Sequence, residues 1–191
     1  LIASDGNNTQ EKNTIRHTRI RFYNKEKELV ELFYKNVKKI FPSMAIQRIK
    51  LRNDVHEART SNSLLATICK HLGVTSPSTK SDISPILYLN KKLIASFLKG
   101  YFDGDGNISY KTVKEIKEKY LQIRLFSISK KNIKKLHQML LKLGIQNHIY
   151  KRSVDNATYP SKNKFFYSIS ITDPASKINF AKNVGSCHPI K

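Results

Sequence analysis

The stretch FLKGYFDGDGNISY, residues 97–110, places two acids at the end of an apolar segment. Asp103 and Asp105 are each followed by a glycine there. The wider segment NKKLIASFLKGYFDGDG, residues 90–106, predicts a helix whose last turn carries both carboxylates. One such pair of acids is also typical of an ordinary helix end and the turn after it. The pattern therefore needs a second observation before it indicates a site.

The start of the chain supplies that second observation, because its first residues repeat the same end. The tripeptide Asp-Gly-Asn at residues 5–7 recurs at residues 105–107, a separation of 100 residues. A polar stretch follows each copy, and then a strand that contains arginine and an amphipathic helix: TRIRFYNKEKELVELFYKNVKKIF (18–41) and LQIRLFSISKKNIKKLHQMLLKLGI (121–145). Apolar residues recur at helical spacing in both. The sequence therefore predicts two copies of one unit.

Each half predicts the order helix, strand, strand, helix, strand, strand, helix. The expected fold class is α+β, with two pseudo-symmetric αββαββα repeats and antiparallel sheets. The first repeat is expected at residues 1–80, with a truncated opening helix, and the second at residues 81–191, together in one compact monomer. The segment AIQRIKLRN (45–53) alternates apolar and basic residues, as a half-exposed strand does.

The charge of the chain points to a polyanionic partner. Lysine and arginine total 35 against 14 acids, which gives a formal net charge of +21 and a pI near 10.0. A globular domain this basic usually binds nucleic acid, although a lysine-rich genome would explain part of the excess. No predicted helix sets a basic face against an aromatic and leucine face, so a membrane partner is disfavoured. Without a secretion signal or a spanning segment, the expected location is cytoplasmic, associated with the nucleoid, or organellar.

The alternating strands predict which residues contact nucleic acid. One face of each sheet is expected to pack under the helices, and the other to enter the major groove of double-stranded DNA. Arginine binds guanine there and lysine neutralises phosphates. A charged strand face is often only solvated, but the same sign in both halves favours an interface. The candidate DNA-binding residues are Arg19, Arg21, Arg48, Lys50 and Arg52 in the first half and Lys119, Arg124, Lys151 and Arg152 in the second.

The paired acids predict a metal site. Gly100 and Gly104 are four residues apart, on one helix face, where small residues let two helices approach closely. If the two opening helices pack about a pseudo-twofold axis, Asp5 and Asp105 converge. A divalent cation, Mg²⁺ or Mn²⁺, would relieve the repulsion between them and support phosphodiester cleavage. The alternative is that both are helix ends without a catalytic role.

The segment FLKGYFDGDGNI resembles the signature of the LAGLIDADG homing endonucleases, and LIASDGN resembles the tail of a first copy. Ala3 departs from the family, which often has an acid there. The resemblance covers nearly the whole chain as the two-repeat monomeric type found in archaea and organelles. The matching positions are Leu98, Gly100, Asp103, Asp105 and Gly106 in the second copy and Leu1, Ile2, Asp5 and Gly6 in the first.

That resemblance implies a structure and an activity. It implies a saddle of two sheets with the LAGLIDADG helices at the repeat interface. It also implies Mg²⁺-dependent cutting of both DNA strands across the minor groove, with short 3′ overhangs, at a long and roughly pseudo-palindromic target. Asp5 and Asp105 would hold the metal.

Further catalytic candidates follow from the same resemblance. TKSDISPILY resembles the family segment in which a lysine precedes the second opening helix, and this lysine is Lys80. Lys191 occupies the comparable place at the end of SCHPIK. Lys25 and Lys130 follow the second strand of each half, in links that lie near the active site of similar enzymes. A lysine there would stabilise the charge that develops on phosphate, or would simply contact a phosphate.

Two functions compete for this pattern. The first is a site-specific DNA endonuclease encoded in an intron or intein. The second is a non-cleaving LAGLIDADG relative, acting as a DNA-binding regulator or as an intron RNA maturase. The retention of both Asp5 and Asp105 favours cutting, because a pure binder has no need of paired carboxylates that face phosphate. The histidines and cysteines lack zinc spacing, and no phosphate-binding glycine loop occurs.

Overall fold

The computed structural model describes residues 6–10, 18–74, 81–112, 119–153 and 165–188. The chain divides into two compact units. Unit 1 is Leu1–Ile86 with Cys187–Ile190, and unit 2 is Leu87–Ser186 with Lys191. No helix in the described part of the chain is long and apolar enough to cross a bilayer.

Unit 1 is an antiparallel sheet whose strand order is β1-β2-β4-β3. Strand β2 alternates between fully buried Ile20 and Phe22 and the more exposed Arg19 and Tyr23, so only one face of the sheet belongs to the core. The ring of Phe22 lies 5.2 Å from that of Phe33 in the first helix, which covers this face. The elements are β1 (Gly6–Gln10), β2 (Thr18–Asn24), α1 (Lys27–Ile40), β3 (Gln47–Lys50), β4 (His56–Thr60) and α2 (Ser63–His71).

Unit 2 repeats this architecture in the strand order β5-β6-β8-β7. Its opening helix begins at the N-cap Asn90, whose side chain accepts a hydrogen bond from the backbone N–H of Leu93 at 2.8 Å. Ile123 and Leu125 on its second strand are buried against the helices, as Ile20 and Phe22 are in unit 1. The elements are α3 (Lys91–Asp105), β5 (Gly106–Thr112), β6 (Lys119–Ser127), α4 (Lys130–Lys142), β7 (His148–Ser153), β8 (Phe165–Ile171) and α5 (Pro174–Asn183).

The two sheets share their register as well as their order. Gly6 pairs with Phe22 in unit 1, and Gly106 pairs with Leu125 in unit 2. One position further along, residues 7 and 107 pair with arginines of β2 and β6. The predicted fold class of mixed helices and antiparallel sheets is therefore confirmed. The assignment of whole repeats to residues 1–80 and 81–191 stays a prediction.

The third strand of unit 1 is shorter than the sequence pattern predicted. Residues 45–53 were expected to form one strand, but β3 ends at Lys50 and Arg52 begins a 3₁₀ turn. Asn53 and Asp54 in that turn have φ values of 58° and 56°. Asn and Asp tolerate this left-handed conformation better than other residues with a side chain. Arg52 is therefore on a turn and not on the strand face where it was expected.

Candidate functional site

The helix α3 runs into strand β5 without an intervening residue, because Asp105 ends the helix and Gly106 begins the strand. A Cβ atom at Gly106 would lie 2.1 Å from the ring of Phe102 and 2.4 Å from its carbonyl oxygen. Only glycine fits this close approach. The sharp junction keeps the half-buried Asp105 at the end of the sheet.

Two contacts of aromatic residues fix the last turn of α3 within unit 2. The hydroxyl of Tyr101 donates to the carbonyl oxygen of Phe126 at 2.9 Å, which ties the helix to β6. The buried ring of Phe102 meets Phe180 of α5 edge-on, with the ring centres 4.9 Å apart. The residues around Asp105 are therefore held by packing against both a strand and a helix.

The two acids of the motif have different environments. Asp103 is only 2% exposed, and its Oδ1 accepts a hydrogen bond from Ser186 Oγ at 2.5 Å. This bond joins the helix end to the segment that follows α5. Asp105 is more accessible than Asp103. Asp103 is therefore suited to holding the helix end, and Asp105 is the acid that a ligand can reach.

The predicted catalytic lysines are only partly within the described residues. Lys130 is the first residue of α4, which follows β6 and begins after its N-cap Ser129. Gly106, the residue after Asp105, pairs with Leu125 near the C-terminal end of β6. Lys130 and Asp105 therefore lie at the same end of the sheet. Lys25 is exposed after β2 in unit 1. The predictions for Asp5, Lys80 and Lys191 fall outside the described residues. The catalytic assignment of all these residues stays a prediction.

Each sheet has a second face, opposite its helix-covered core, which we call the polar face. In unit 1 it is defined by the register of β2, β3 and β4, in which Arg21 pairs with Arg59 and Arg59 with Gln47. Arg59 Nε donates to Gln47 Oε1 at 2.8 Å on this face. The described side chains of the polar face of unit 1 are those of Arg19, Arg21, Tyr23, Gln47, Ile49, Glu57 and Arg59.

The polar face of unit 2 is built on β6 and β8, with Arg124 at the register position of Arg21. Arg124 Nη2 donates to Ser109 Oγ at 2.9 Å, and its guanidinium carbon lies 5.7 Å from the centre of the Phe126 ring. Gln122 Nε2 donates to Ser170 Oγ nearby. The polar face of unit 2 consists of Asn107, Ser109, Tyr120, Gln122, Arg124, Phe126, His148, Tyr150, Arg152, Phe166, Ser168 and Ser170.

Arg48 does not lie on the polar face where the sequence pattern placed it. It pairs with Ala58, which belongs to the buried core, so Arg48 is on the helix side of β3. Its Nη1 donates to Glu31 Oε2 of α1 at 2.9 Å, and its guanidinium lies 4.4 Å from the centre of the Tyr34 ring. The prediction that Arg48 shares a face with Arg19 and Arg21 was wrong. Side chains alternate along a strand, and the register of the edge strand β3 decides which of its residues face the core.

The same correction applies to three lysines. Lys50 lies on the helix side of β3, where its Nζ is 2.8 Å from Asp54 Oδ1. That hydrogen bond lowers the pKa of the Asp54 carboxyl below its ordinary value. Lys119 shares the side of the core residues of β6, and Lys151 is on the helix side of β7, 3.8 Å above the Phe165 ring. Of the nine candidates, the polar faces hold Arg19, Arg21, Arg124 and Arg152.

The polar faces also hold residues that the sequence pattern did not reveal. Glu57 and Arg59 come from HEART, residues 56–60, a strand too short to be recognised from its apolar content. Its alternation was the available signal, since Ala58 is buried in the core between them. Arg59, Arg19 and neighbouring residues line a hollow of about 610 Å³ at one end of the face.

Unpartnered polar atoms concentrate on these two faces. Buried polar groups in proteins nearly always have a hydrogen-bond partner. In the described residues, every buried side-chain nitrogen or oxygen that lacks one lies on a polar face. The two arginines among them occupy equivalent register positions, and so do the glutamate and the serine. Both sheets therefore offer donors or acceptors at the same place. The atoms are Arg21 Nε, Glu57 Oε1, Gln122 Oε1, Arg124 Nε and Ser168 Oγ.

Comparison with known proteins gives matches in both sequence and structure. The family described as LAGLIDADG-like domain matches residues 92–185. A probable translation initiation factor IF-2 of Methanocaldococcus jannaschii is 33% identical over 114 residues, 57% of this chain and 9% of that protein. A protein of the A-type ATP synthase of Methanopyrus kandleri is 30% identical over 108 residues, 56% of this chain and 10% of that protein. This chain thus spans only a small part of these relatives.

A solved structure matches along nearly the whole chain. The homing endonuclease I-DmoI, in a crystal structure with DNA and Ca, has a TM-score of 0.66 and 18% identity, over 99% of this chain and 89% of that one. The domain match lies on the half that contains the FLKGYFDGDG segment. These findings confirm the resemblance on which the sequence prediction rested: residues 92–185 match a LAGLIDADG-like domain, and the chain has the fold of the homing endonuclease I-DmoI.

Proposed function

We propose that this protein is a site-specific endonuclease that cuts both strands of DNA across the minor groove, with Mg²⁺ or Mn²⁺ as cofactor. The observation that carries the proposal is Asp105, an accessible acid fixed at the junction of α3 and β5 beside a sheet with an arginine-bearing polar face. Crystal structures of I-DmoI, which shares this fold, contain its target DNA or DNA with Mn or Ca.

The polar faces support DNA as the partner. Arg21 and Arg124 stand at equivalent positions, and arginine is the residue that most often pairs with guanine in the major groove. A formal net charge of +21 favours binding to a phosphate backbone. The proposed division of work is that polar-face residues contact bases while exposed lysines neutralise phosphates.

The acidic helix end has the donor chemistry of a divalent-metal site. Asp105 offers a hard carboxylate oxygen, which Mg²⁺ and Mn²⁺ accept as a ligand. Asp103 fits this role poorly, because it is buried and bonded to Ser186. No cluster of three or more metal-binding side chains occurs in the described residues, so the proposed ligand set is Asp105 with Asp5 and phosphate oxygens. A bound divalent ion would activate water and stabilise the leaving oxygen.

The residues of the chain itself would position the substrate. The bonds of Tyr101 and Asp103 hold the end of α3, so that Asp105 keeps its place as DNA approaches. Lys130 lies at the same end of the sheet and would place positive charge near the scissile phosphate. Lys25 is proposed for the equivalent role in unit 1.

The matched relatives favour a mobile-element origin. An initiation factor and a component of an ATP synthase have no function in common, yet each contains a segment similar to this chain. We take a segment shared by two proteins of such different names to be an insertion separate from their own activities. We therefore propose homing of an intein or intron as its biological role.

The test is selection of a target from a randomised duplex library, followed by cleavage in Mg²⁺ and Mn²⁺. Asp105→Asn should keep binding to the selected duplex and lose cleavage at least a hundredfold, because it removes a metal-binding charge without changing the shape of the residue. Asp54→Asn removes an exposed carboxylate elsewhere and should cut normally. If wild type binds but never cuts, or if Asp105→Asn cuts at the wild-type rate, the proposal is wrong.

A further inference from the structure

The two register-equivalent arginines of the polar faces are supported by different chemistry. Arg21 lies beside Glu57, a carboxylate. Arg124 donates to the neutral Ser109, and the position that corresponds to Glu57 is occupied by Ser168. The two faces thus hold the same donor against a charged partner in one unit and an uncharged partner in the other.

The burial of Glu57 is unfavourable for the stability of the fold. The residue is 5% exposed, and its Oε1 has no hydrogen bond in the described structure. Oε1 lies 3.8 Å from Arg21 Nε, within ion-pair range but beyond hydrogen-bond length. Burying a carboxylate with so little compensation is unfavourable. A carboxylate on a DNA-binding face also repels phosphate, so a direct contact of Glu57 with the DNA backbone is disfavoured.

We propose that Glu57 is a positioning residue that makes Arg21 a specific reader of guanine. The Nε of Arg21 is buried on the side of Glu57, while the side chain as a whole is 36% exposed. The attraction of the carboxylate orients Nε towards Glu57 and leaves the terminal nitrogens for the bidentate contact with the O6 and N7 atoms of guanine. The negative charge of Glu57 also offsets that of Arg21, which weakens any contact with phosphate that ignores sequence.

The proposal rests on the proposed function, since it requires DNA on the polar face. The proposal predicts a difference between the two units. Arg21 should discriminate bases strongly and contribute little to the salt dependence of binding. Arg124, whose charge is not offset by a carboxylate, should contribute more to the salt dependence. Glu57 itself touches no reacting group, and its effect is exerted through Arg21.

The experiment measures affinity for the duplex selected by wild type, for its single-base variants, and for a fixed mixed-sequence duplex, over a series of salt concentrations. Glu57→Gln should reduce discrimination about tenfold at one guanine position. It should also steepen the slope of the logarithm of the binding constant against the logarithm of the salt concentration, on the mixed-sequence duplex, by about 0.9. The reason is that the charge of Arg21, no longer offset by Glu57, can then neutralise one phosphate. Glu57→Asp should restore most of the discrimination. Glu31→Gln is the matched control, because Glu31 pairs with Arg48 on the helix side, and it should leave both quantities unchanged.

A merely structural Glu57 would lower affinity for all duplexes alike, and unchanged discrimination with an unchanged salt slope overturns the proposal. If Glu57→Gln does not fold, Glu57→Ser gives the decision, because serine is the residue at the equivalent position of unit 2. It also removes the charge beside Arg21, so discrimination at that position must fall and the salt slope must steepen. Failure of wild type to bind any duplex would instead overturn the proposed function.

Discussion

The polar face of unit 1 sets an arginine beside a carboxylate at its centre, whereas that of unit 2 sets its central arginine among uncharged side chains. In unit 1, Arg21 lies beside Glu57, and Arg59 is the cross-strand neighbour of Arg21. In unit 2, Arg124 donates to Ser109, and Ser168 and Ser170 occupy the register positions of Glu57 and Arg59. Strand order and register are nevertheless the same in both sheets. The backbone therefore fixes where a side chain is presented, and the residue chosen at each place sets its charge. Two sheets of the same order and register therefore present different charges at equivalent places.

The largest expected effect separates the two arginines. Arg21→Met removes the ion-pair partner of the buried Glu57 carboxylate. Because Arg21 is partly exposed and the pair is long, the free energy of unfolding should fall by about 2 kcal/mol, less than for a fully buried pair. Arg124→Met breaks a hydrogen bond to the neutral Ser109, so the free energy of unfolding should fall by about 1 kcal/mol. Denaturant unfolding of both variants measures the difference. Adding Glu57→Gln to Arg21→Met should recover most of the loss, and equal losses for the two arginines would contradict the ionic character of unit 1.

A smaller effect should distinguish two serines on the polar face of unit 2. Ser168 and Ser170 are both 1% exposed, but only Ser170 accepts a bond from Gln122, while Ser168 Oγ has no partner. Ser168→Ala should raise the free energy of unfolding by about 1 kcal/mol, because it removes an unsatisfied buried hydroxyl. Ser170→Ala should lower it by about 1 kcal/mol. Thermal and denaturant unfolding test this pair, and a loss in both variants would show that Ser168 is satisfied.

The smallest effect concerns exposed carboxylates at the edges of the units. The pKa of Asp54 in unit 1 is lowered by a hydrogen bond from the Lys50 ammonium, and that of Asp173 in unit 2 by the backbone N–H of Ser176 at the start of α5. Each contribution to stability is present above the ordinary pKa of 3.8 and is lost as the pH falls through the lowered value.

Added salt should change the pKa of Asp54 more than that of Asp173, because salt screens an ion pair more than a backbone hydrogen bond. In NMR titrations at low and high salt, the pKa of Asp54 should rise towards its ordinary value, and that of Asp173 should move less. Lys50→Met should raise the pKa of Asp54 without added salt. A larger salt response at Asp173 than at Asp54 would reverse the assignment.

Much of the fold could be predicted because its signals are local. The acids of residues 97–110, the repeat of Asp-Gly-Asn and the helical spacing of residues 121–145 each depend on near neighbours in the chain. They gave the order of elements and the family resemblance. The position of Asp105 at the end of the helix was predicted for the same reason, since the helix end and the glycine after it are readable from sequence; its role as a metal-binding acid stays a prediction.

The composition of the polar faces was decided by the tertiary structure. Arg48 and Lys151 lie on the edge strands β3 and β7, whose helix sides carry exposed charge, so their apolar pattern does not report which side faces the core. Glu57 and Arg59 came to the centre of the face through the pairing of β4 with both β2 and β3. Side chains alternate with a period of two, so a register that differs by one residue exchanges the two faces. The sequence by itself determined the acidic helix end, the repeat and the positive charge. Only strand pairing decided which of those charges stand together.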